Sequence, residues 1–283
     1  MKRPLLSRLL PNRLKQPLYY RYYHTRHAAW RGLFEVAPLV LSPNVAMYGL
    51  VPGDVISGNI AFNGFYELAL SRSIVQLART GGVLVDVGAN MGYFSLLWAG
   101  VNPSGRVISF EAAPRNIPLI ENNIFRNRLS DRITLVPKAA GRHSGTAVFD
   151  VGPVEQTGWG GMAKEASFNT IDVPMVRLDQ ELPGATIDVL KIDVEGADTW
   201  VLSGCEALLK NKRIGTIFFE QNQERMNQLG IVAGEAQAFL RALDYTCVPF
   251  GGDHGEWMAW PNRTTVPSGR PGLKIPTDGA CSR

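Results

Sequence analysis

The sequence of 283 residues contains little cysteine, and its three cysteines lie far apart. Cys205, Cys247 and Cys281 form no CxxC pair, which excludes a disulfide scaffold and a cysteine zinc site and is typical of a reducing compartment. The sequence also lacks an unbroken run of about 18 apolar residues. The best candidate, residues 33–51, is interrupted by Glu35 and by two prolines, so we expect no transmembrane segment and a cytoplasmic protein.

Acidic residues are absent from the first 31 residues, which carry eight of the 29 lysines and arginines. The rest of the chain holds 21 basic and 25 acidic residues, so the pI of about 9.0 comes from the N-terminal arm. Because the body has a net negative charge, we expect no binding to nucleic acid.

The arm, residues 1–45, interleaves its basic residues with four tyrosines and Trp30. This composition favours peripheral contact with a membrane or an acidic partner through residues 1–31, and the alternative is that the aromatic side chains dock on the body. Its prolines, among them Pro17, are expected to break any long amphipathic helix.

Strand and helix patterns alternate after residue 81, which predicts an α/β fold with a doubly wound, mostly parallel sheet. The first strand, VLVDV, is continuously apolar, as in a parallel strand that is buried on both faces. Predicted strands are 83–87, 106–110, 133–136, 145–150, 173–178, 187–194 and 215–220, with a closing hairpin at 245–249 and 256–260. Predicted helices are 67–79, 92–99, 118–128, 197–210 and 235–243, and short strands are expected at 46–50 and 54–56.

These patterns divide the chain into three parts. The arm is followed by a domain over residues 46–262, with an upstream segment at 46–80 and a core at 81–262. Residues 263–283 are rich in proline and glycine and are expected to form a loose tail.

A glycine turn, Asp86-Val-Gly88-Ala-Asn90-Met-Gly92, follows the first buried strand directly. Glycines at such a turn let the backbone approach a ligand closely. Glu111 ends the next strand, where a carboxylate can accept both ribose hydroxyls of a nucleoside. The glycine spacing does not match the GxGxxG of dinucleotide sites, and Asp86 would repel a pyrophosphate. The pattern therefore favours the cationic S-adenosylmethionine (SAM) over NAD, and a Rossmann-type NAD enzyme stays as a rival.

A second cluster, Lys191-Ile-Asp193-Val-Glu195-Gly196, ends another central strand. Ligands of open α/β sheets bind beyond such strand ends. If the strand continues, Lys191, Asp193 and Glu195 share one face. A buried lysine must be paired with an acid, so Lys191 and Glu195 either form a buried pair that shapes the site or act directly, and Asp193 is the stronger functional candidate.

A third cluster, Glu220-Gln-Asn222, ends a strand that we expect to lie beside the strand of Asp193. These oxygens could hold a divalent cation, or one carboxylate could serve as a metal-free general base. A divalent metal is possible but not favoured, and we assign no metal ligands.

Two further features of the sequence are left open. His143 and His254 are loop histidines, which are either solvated or brought in as a base by folding. Residues 152–170 are either a mobile lid over the acceptor or an ordinary surface loop.

Four segments together resemble the FkbM-type SAM-dependent methyltransferases. They are VDVGANMGYFS (85–95), SFEAAPRN (109–116), DVLKIDVEGAD (188–198) and FFEQN (218–222). The stretch PGDVISGNIAFNGFYE (52–67) also resembles the segment before that family's catalytic domain. The KIDVEG run is the most specific of these elements.

The resemblance implies a class I methyltransferase (Rossmann-like) fold with a seven-stranded sheet and an N-terminal extension. It implies that SAM is the cofactor, that a hydroxyl of a small molecule, sugar or glycan is methylated, and that the SAM site is lined by Glu67, Asp86, Gly88, Asn90, Gly92, Glu111 and Asn116. Asp193 and Glu195 would face the methyl group, and we expect one of them, or Glu220, to position or deprotonate the hydroxyl. Asp198 stands where the family often has a second glutamate. The alternative function is a non-catalytic module of this fold, tethered to a membrane or an acidic partner by the arm.

Overall fold

The computed structural model describes residues 2–251 and 255–262. The predicted tail at 263–283, Cys281 and His254 lie outside the described residues. The strands are β1 (Val36–Pro38), β2 (Ala46–Tyr48), β3 (Val83–Val87), β4 (Arg106–Phe110), β5 (Ile133–Val136), β6 (Ala139–Ala140), β7 (Gly145–Asp150), β8 (Gly161–Met162), β9 (Thr170–Val176), β10 (Ile187–Ile192), β11 (Ile214–Glu220), β12 (Tyr245–Pro249) and β13 (Glu256–Pro261). The helices are α1 (Leu5–Leu9), α2 (Asn12–Tyr22), α3 (Gly32–Glu35), α4 (Val55–Asn63), α5 (Leu68–Ala78), α6 (Tyr93–Val101), α7 (Ile117–Arg126), α8 (Leu178–Glu181), α9 (Asp198–Ser203), α10 (Glu206–Lys210), α11 (Gln223–Leu229) and α12 (Glu235–Ala242).

Within the described residues, seven strands form the central sheet in the order β12-β13-β11-β10-β3-β4-β5. The strands from β11 to β5 pair in parallel, and β13 runs antiparallel to both of its neighbours. Within this sheet the chain begins at β3, moves outward through β4 to the edge strand β5, and then crosses to β10 on the other side of β3. The doubly wound, mostly parallel seven-stranded sheet and its closing hairpin are therefore confirmed. The reversal of direction beside β3 is where open α/β sheets bind their ligands.

Side chains of the central strands alternate between two hydrophobic cores, one on each face of the sheet. Leu84 and Val189 belong to one core, and their chain neighbours Val85 and Leu190 belong to the other. All four side chains are buried. This double burial explains why β3 and β10 are mostly apolar in sequence, with Asp86, Asp188 and Lys191 as the exceptions.

A separate sheet of four strands, in the order β6-β9-β7-β8, lies outside the central sheet. The predicted strands at 145–150 and 173–178 are confirmed as β7 and β9, but they pair with each other and not with the central sheet. The apolar pattern of a single strand does not predict its partner strand, because strand pairing depends on tertiary structure.

Two local predictions are wrong. Residues 54–56 are not a strand, because Asp54 caps helix α4 by accepting a hydrogen bond from the Ser57 N–H at 2.7 Å. The predicted helix at 197–210 is two helices, α9 and α10, which are separated by Gly204 and Cys205.

The N-terminal arm is helical and packs on the body. Pro17 lies inside α2 and does not end that helix, which corrects the expectation from sequence. Tyr19 of α2 is buried against Phe62 of α4, with ring centroids 5.3 Å apart, so tertiary packing outweighs the local cost of the proline. In the described part of the chain, every helix is too short or too polar to cross a bilayer.

Candidate active site

A cleft opens where β3, β4, β10 and β11 end, at the carboxyl edge of the central sheet. Its lining includes most of the predicted site residues, which are Glu67, Gly88, Asn90, Glu111, Asn116, Asp193, Glu195 and Glu220. Residues far apart in sequence meet there because the carboxyl ends of parallel strands share one edge.

Asp86 and Gly92, the other two predicted cofactor residues, do not line this cleft. Asp86 is completely buried below it and accepts a hydrogen bond from the Ser95 hydroxyl at 2.6 Å. Gly92 precedes α6, and a Cβ at this position would lie 2.8 Å from Ile120 Cγ1. Both residues therefore shape the turn from inside the protein.

Lys191 joins the two strands at the centre of the site. Lys191 of β10 lies opposite Asp86 of β3 in the register of the sheet, and the lysine side chain is 3% exposed. The ammonium lies 3.1 Å from Asp193 Oδ2 and 3.7 Å from Asp86 Oδ1, and it donates to the Gly88 carbonyl at 3.3 Å. Burial alone would lower the pKa of Lys191, but Asp193, Asp86 and Glu67 together raise it. Lys191 is thus paired with nearby acids, as expected, but its partners are Asp193 and Asp86. The predicted pair with Glu195 is wrong, since Glu195 Oε2 lies 3.9 Å from Arg225 Nε instead.

Glu111 ends β4 with its carboxylate held by the backbone of the neighbouring turns. Oε2 accepts from the Asn90 N–H at 2.6 Å and Oε1 accepts from the Ala113 N–H at 2.8 Å. Oε1 also accepts from Asn116 Nδ2 at 3.4 Å, whereas Oε2 keeps a second acceptor position. Burial raises the pKa of Glu111 to about 7, although the hydrogen bonds from Ala113, Asn90 and Asn116 oppose that rise. The carboxylate is thus fixed in place while it can still accept hydroxyl groups.

Three residues of the cleft adopt left-handed backbone conformations that are rare outside glycine. Glu67, Asn90 and Glu195 have φ values of 40°, 53° and 53°. Glutamate in this region is strained, and such strain is concentrated at functional sites. Three such residues around one cleft support it as the candidate functional site.

Asp193, Glu195 and Glu220 all line the cleft, but not by the strand alternation expected from sequence. β10 ends at Ile192, so the turn that follows it places Asp193 and Glu195. Asp193 and Glu220 do follow adjacent parallel strands, since Ile192 pairs with Phe219, as predicted.

Crowding of carboxyl groups disturbs their ionisation. Burial and then the charge of Asp193 raise the pKa of Glu67 to about 8, of Glu195 to about 7 and of Glu220 to about 9. At neutral pH, Glu220 therefore holds its proton and can donate a hydrogen bond, whereas Lys191 stabilises negative charge on Asp193.

Asn222 does not supply the amide oxygen that a metal site would need. Its Oδ1 accepts from the Arg225 N–H at 3.2 Å and caps α11, and its Nδ2 donates to Glu195 Oε2 at 3.3 Å. Among the described residues, no group of three or more histidine, cysteine, aspartate or glutamate side chains is arranged to hold a metal ion. His143 is exposed and is not among the residues that line the cleft.

Asp198 has a structural position that sequence reasoning did not reveal. It is completely buried, and it accepts from the Glu220 N–H at 2.9 Å and from the Val194 N–H at 3.4 Å. It thus fixes the ends of β10 and β11 relative to each other. Burial raises its pKa to about 7, although the hydrogen bond from Glu220 opposes that rise.

The loop at 152–160 covers one side of the cleft. Arg115 donates to the Gln156 carbonyl at 2.5 Å, the Thr157 N–H donates to Asp54 Oδ1 at 2.9 Å, and Arg225 donates to the Trp159 carbonyl at 2.7 Å. These hydrogen bonds fasten the loop to three separate parts of the chain. Thr157 and the neighbouring glycines line the cleft and belong to the segment 152–170, for which the sequence left open a lid or an ordinary surface loop.

Known proteins resemble this chain in sequence pattern and in fold. The sequence profile of the Methyltransferase FkbM domain matches residues 86–258, and no curated protein matches the chain. Similar solved structures include an FkbM methyltransferase from Methylobacillus flagellatus KT, with 12% identity over 84% of this chain and a TM-score of 0.47. This chain spans 60% of the length of that structure.

A precorrin-6y C5,15-methyltransferase from Geobacter metallireducens GS-15 has 16% identity, with 68% of this chain and 88% of that chain covered and a TM-score of 0.41. An O-methyltransferase from Bacillus cereus has 15% identity, with 67% and 77% covered and a TM-score of 0.38. The strand order from β5 through β3 to β11 is the Rossmann-like order that the resemblance implies. With the FkbM profile matching well over half of its residues, this chain belongs to the FkbM family of methyltransferases and has the class I methyltransferase fold.

Proposed function

We propose that the protein is a SAM-dependent O-methyltransferase that acts on a hydroxyl of a small molecule, sugar or glycan. The observation that carries the proposal is the position of Asp193 between Lys191, which stabilises its charge, and the cleft. Removal of a proton from an attacking hydroxyl requires an ionised base at such a position.

The polar lining of the cleft fits the cofactor. Asn90 Oδ1, Asn116 Oδ1 and the Thr157 hydroxyl are buried there without a hydrogen-bond partner within the protein, and Glu111 Oε2 keeps a free acceptor position beside them. In the proposal, Glu111 binds the ribose hydroxyls, while the three unsatisfied groups bind other polar atoms of the nucleoside. When bound, SAM supplies a methyl group on a cationic sulfonium, and acidic side chains around the cleft favour that charge.

In the proposed mechanism, Asp193 accepts the proton of the acceptor hydroxyl as the oxygen attacks. Lys191 stabilises the ionised form of Asp193 from below. Glu220 holds its own proton at neutral pH and orients the hydroxyl oxygen through a hydrogen bond. Because Asp193 and Glu220 are held at adjacent strand ends, alignment of the hydroxyl contributes a large part of the rate enhancement.

Binding of S-adenosylhomocysteine, measured by isothermal titration calorimetry in EDTA and again with Mg²⁺, tests the cofactor. We expect micromolar affinity in EDTA, and a loss of about a hundredfold or more in Glu111→Ala, since several hydrogen bonds disappear together. Lys210→Ala, which changes an exposed residue of α10, is the control. An absence of binding in both conditions would refute the proposal.

Asp193→Asn tests the mechanism once an acceptor has been found by screening hydroxylated compounds. We expect turnover to fall by about a hundredfold or more while the affinity for S-adenosylhomocysteine changes by less than about threefold. Normal turnover in Asp193→Asn would assign the base to another carboxylate.

A specific observation also supports peripheral membrane contact through residues 1–31, which we propose as a location for the enzyme. Leu5, Leu6 and Leu9 of α1 are 63%, 53% and 73% exposed. Most of the arm's basic residues are exposed as well, including Arg8 on the same helix. Exposed leucines beside cations without any acid are suited to an anionic lipid surface.

Co-sedimentation with vesicles tests this contact. We expect binding to phosphatidylcholine vesicles that contain about 30% phosphatidylglycerol, weaker binding in high salt, and loss of binding when Leu5, Leu6 and Leu9 are replaced by serine. Phe125→Ser, which removes an exposed side chain of α7, is the matched control. Deletion of the arm is unsuitable because Tyr19 is part of the core. Equal sedimentation with and without anionic lipid would contradict the proposal.

A further inference from the structure

A second cavity lies on the far side of the carboxylates from the cofactor cleft. The two cavities share Tyr66, Glu67, Asp193 and Glu220 as a common wall. A methyl acceptor must meet the cofactor at the base, so the two compartments of the reaction have to adjoin at these residues. The second cavity has the position that an acceptor site needs.

Helix α2 of the N-terminal arm closes the outer side of this cavity with Gln16 and Tyr20. Tyr20 is 43% exposed, yet its hydroxyl accepts a hydrogen bond from the buried Asn59 Nδ2 at 3.1 Å. Asn59 also donates to the Val55 carbonyl at 2.9 Å, which fixes its amide on α4. The Tyr20 ring is therefore held in place although it faces solvent on one side.

Aromatic side chains form much of the remaining wall. Tyr66, Phe218, Phe250 and Trp257 line it together with Tyr20, and Phe218 and Phe250 pack edge to face with centroids 5.1 Å apart. Flat apolar faces of this kind stack against a ring. The carboxyl groups that line the cavity are able to exchange hydrogen bonds with hydroxyl groups.

We infer that the second cavity is the acceptor site and that Tyr20 and Gln16 of the arm are specificity-determining residues in it, selecting a neutral, hydroxyl-bearing ring over an anionic one. The inference rests on the proposed function. Gln16 and Tyr20 lie outside residues 86–258, so an element outside the family domain completes the site.

The charges of the cavity account for the preference. Glu67, Asp193, Glu220 and Glu256 line it, and Lys191 is the basic residue that faces them from its wall among the described residues. Lys191 is already paired with Asp193 and Asp86. An anionic acceptor would therefore find no unpaired cation in the part of the lining that the structure describes. Neutral hydroxyls can accept a hydrogen bond from Glu67 and Glu220, whose raised pKa values keep them protonated at neutral pH, and can donate one to Asp193.

Saturation-transfer NMR with a matched pair of probes, phenyl β-glucopyranoside and phenyl β-glucuronide, tests the inference on the full chain with S-adenosylhomocysteine present. We expect the neutral glycoside to bind at least about fivefold more tightly than the glucuronide. Tyr20→Ala should weaken glycoside binding by about fivefold, Gln16→Ala should weaken it less, and Tyr20→Phe should retain most of it because the ring remains.

Tyr22→Ala, a change of an exposed tyrosine on the same helix that does not line the cavity, is the control and should bind as the wild type does. Affinity for S-adenosylhomocysteine, measured on the same samples, should stay within about twofold in every variant, which separates this test from that of the cofactor. Wild-type protein that binds the cofactor product but no glycoside overturns the inference. Equal binding of the two probes, or unchanged binding in Tyr20→Ala, overturns it as well, whereas loss of cofactor binding in the wild type refutes the proposed function instead.

Discussion

Lys191 is the residue on which the charges of the site depend. Its ammonium lies within 3.7 Å of Asp86 and 3.1 Å of Asp193, and both of its partners lie at or beside the carboxyl edge of the sheet. Asp86 is completely buried, so without Lys191 its charge would stand in a medium of low polarity with only the Ser95 hydroxyl to solvate it. One side chain thus links the stability of the sheet to the ionisation of the proposed base.

Lys191→Met should lower the free energy of unfolding by about 3–5 kcal/mol, because removal of one member of a buried ion pair leaves the other uncompensated. Urea unfolding at neutral pH measures the change. Lys210→Met is the matched control, since Lys210 pairs with Glu206 on an exposed helix face, and it should change stability by less than about 0.5 kcal/mol. Similar losses of unfolding free energy in the two variants would show that burial does not increase the contribution of the Lys191 ion pair to stability.

Among the elements, the turn between β3 and α6 is the one that the fold constrains most tightly. Gly88 has a φ of 75°, and a Cβ there would lie 1.9 Å from the Asp193 carbonyl oxygen on the neighbouring strand end. Asn90 follows with a φ of 53° and gives its N–H to Glu111. The turn therefore brings three strand ends into contact, which requires glycine at its centre.

Gly88→Ala should lower the free energy of unfolding by about 3 kcal/mol or more, since it adds a backbone clash to the strain of a left-handed conformation. Gly184→Ala separates the two effects. Gly184 has a φ of 69°, and a Cβ added there would meet no atom within 4 Å, so only strain applies. That strain alone is expected to cost about 1 kcal/mol. Urea unfolding of both variants measures the difference, and equal losses would place the cost in strain alone.

At the scale of the whole molecule, the site concentrates acidic groups in a protein whose arm concentrates basic ones. Burial raises the pKa of Glu67 to about 8, of Glu111, Glu195 and Asp198 to about 7, and of Glu220 to about 9. Each group binds its proton more tightly in the folded state than in the unfolded state, where the pKa is about 4. The free energy of unfolding therefore decreases as the pH rises through these pKa values.

Stability should fall by more than about 1 kcal/mol between pH 6.5 and pH 8.5, since the folded state holds more protons than the unfolded state over this interval. His27, whose pKa burial lowers, contributes below the interval and does not reverse the sign. Urea unfolding at the two pH values measures the effect. A double variant, Glu67→Gln with Glu220→Gln, should flatten the dependence, and a wild-type stability that rises with pH would contradict the prediction.

Local patterns in the sequence were sufficient to predict the alternating strands and helices of the fold. Continuous apolar runs such as 83–87 predict buried parallel strands, and the turn from Asp86 to Gly92 with Glu111 behind it predicts a ligand site at the sheet edge. These features depend on neighbours in the chain, so their physics is visible without the tertiary structure. The mostly parallel sheet and the position of the cleft at its carboxyl edge follow from them, whereas the number of seven strands was implied by the family resemblance.

Only the tertiary structure decided which distant groups meet. It packs α2 on the body despite Pro17, turns residues 55–63 into a helix, and takes β7 and β9 out of the central sheet. It also buries Asp86 beneath the cleft instead of exposing it to the cofactor. In each case the outcome depends on burial and pairing between residues far apart in sequence, and those energies exceed the local preferences that the sequence pattern records.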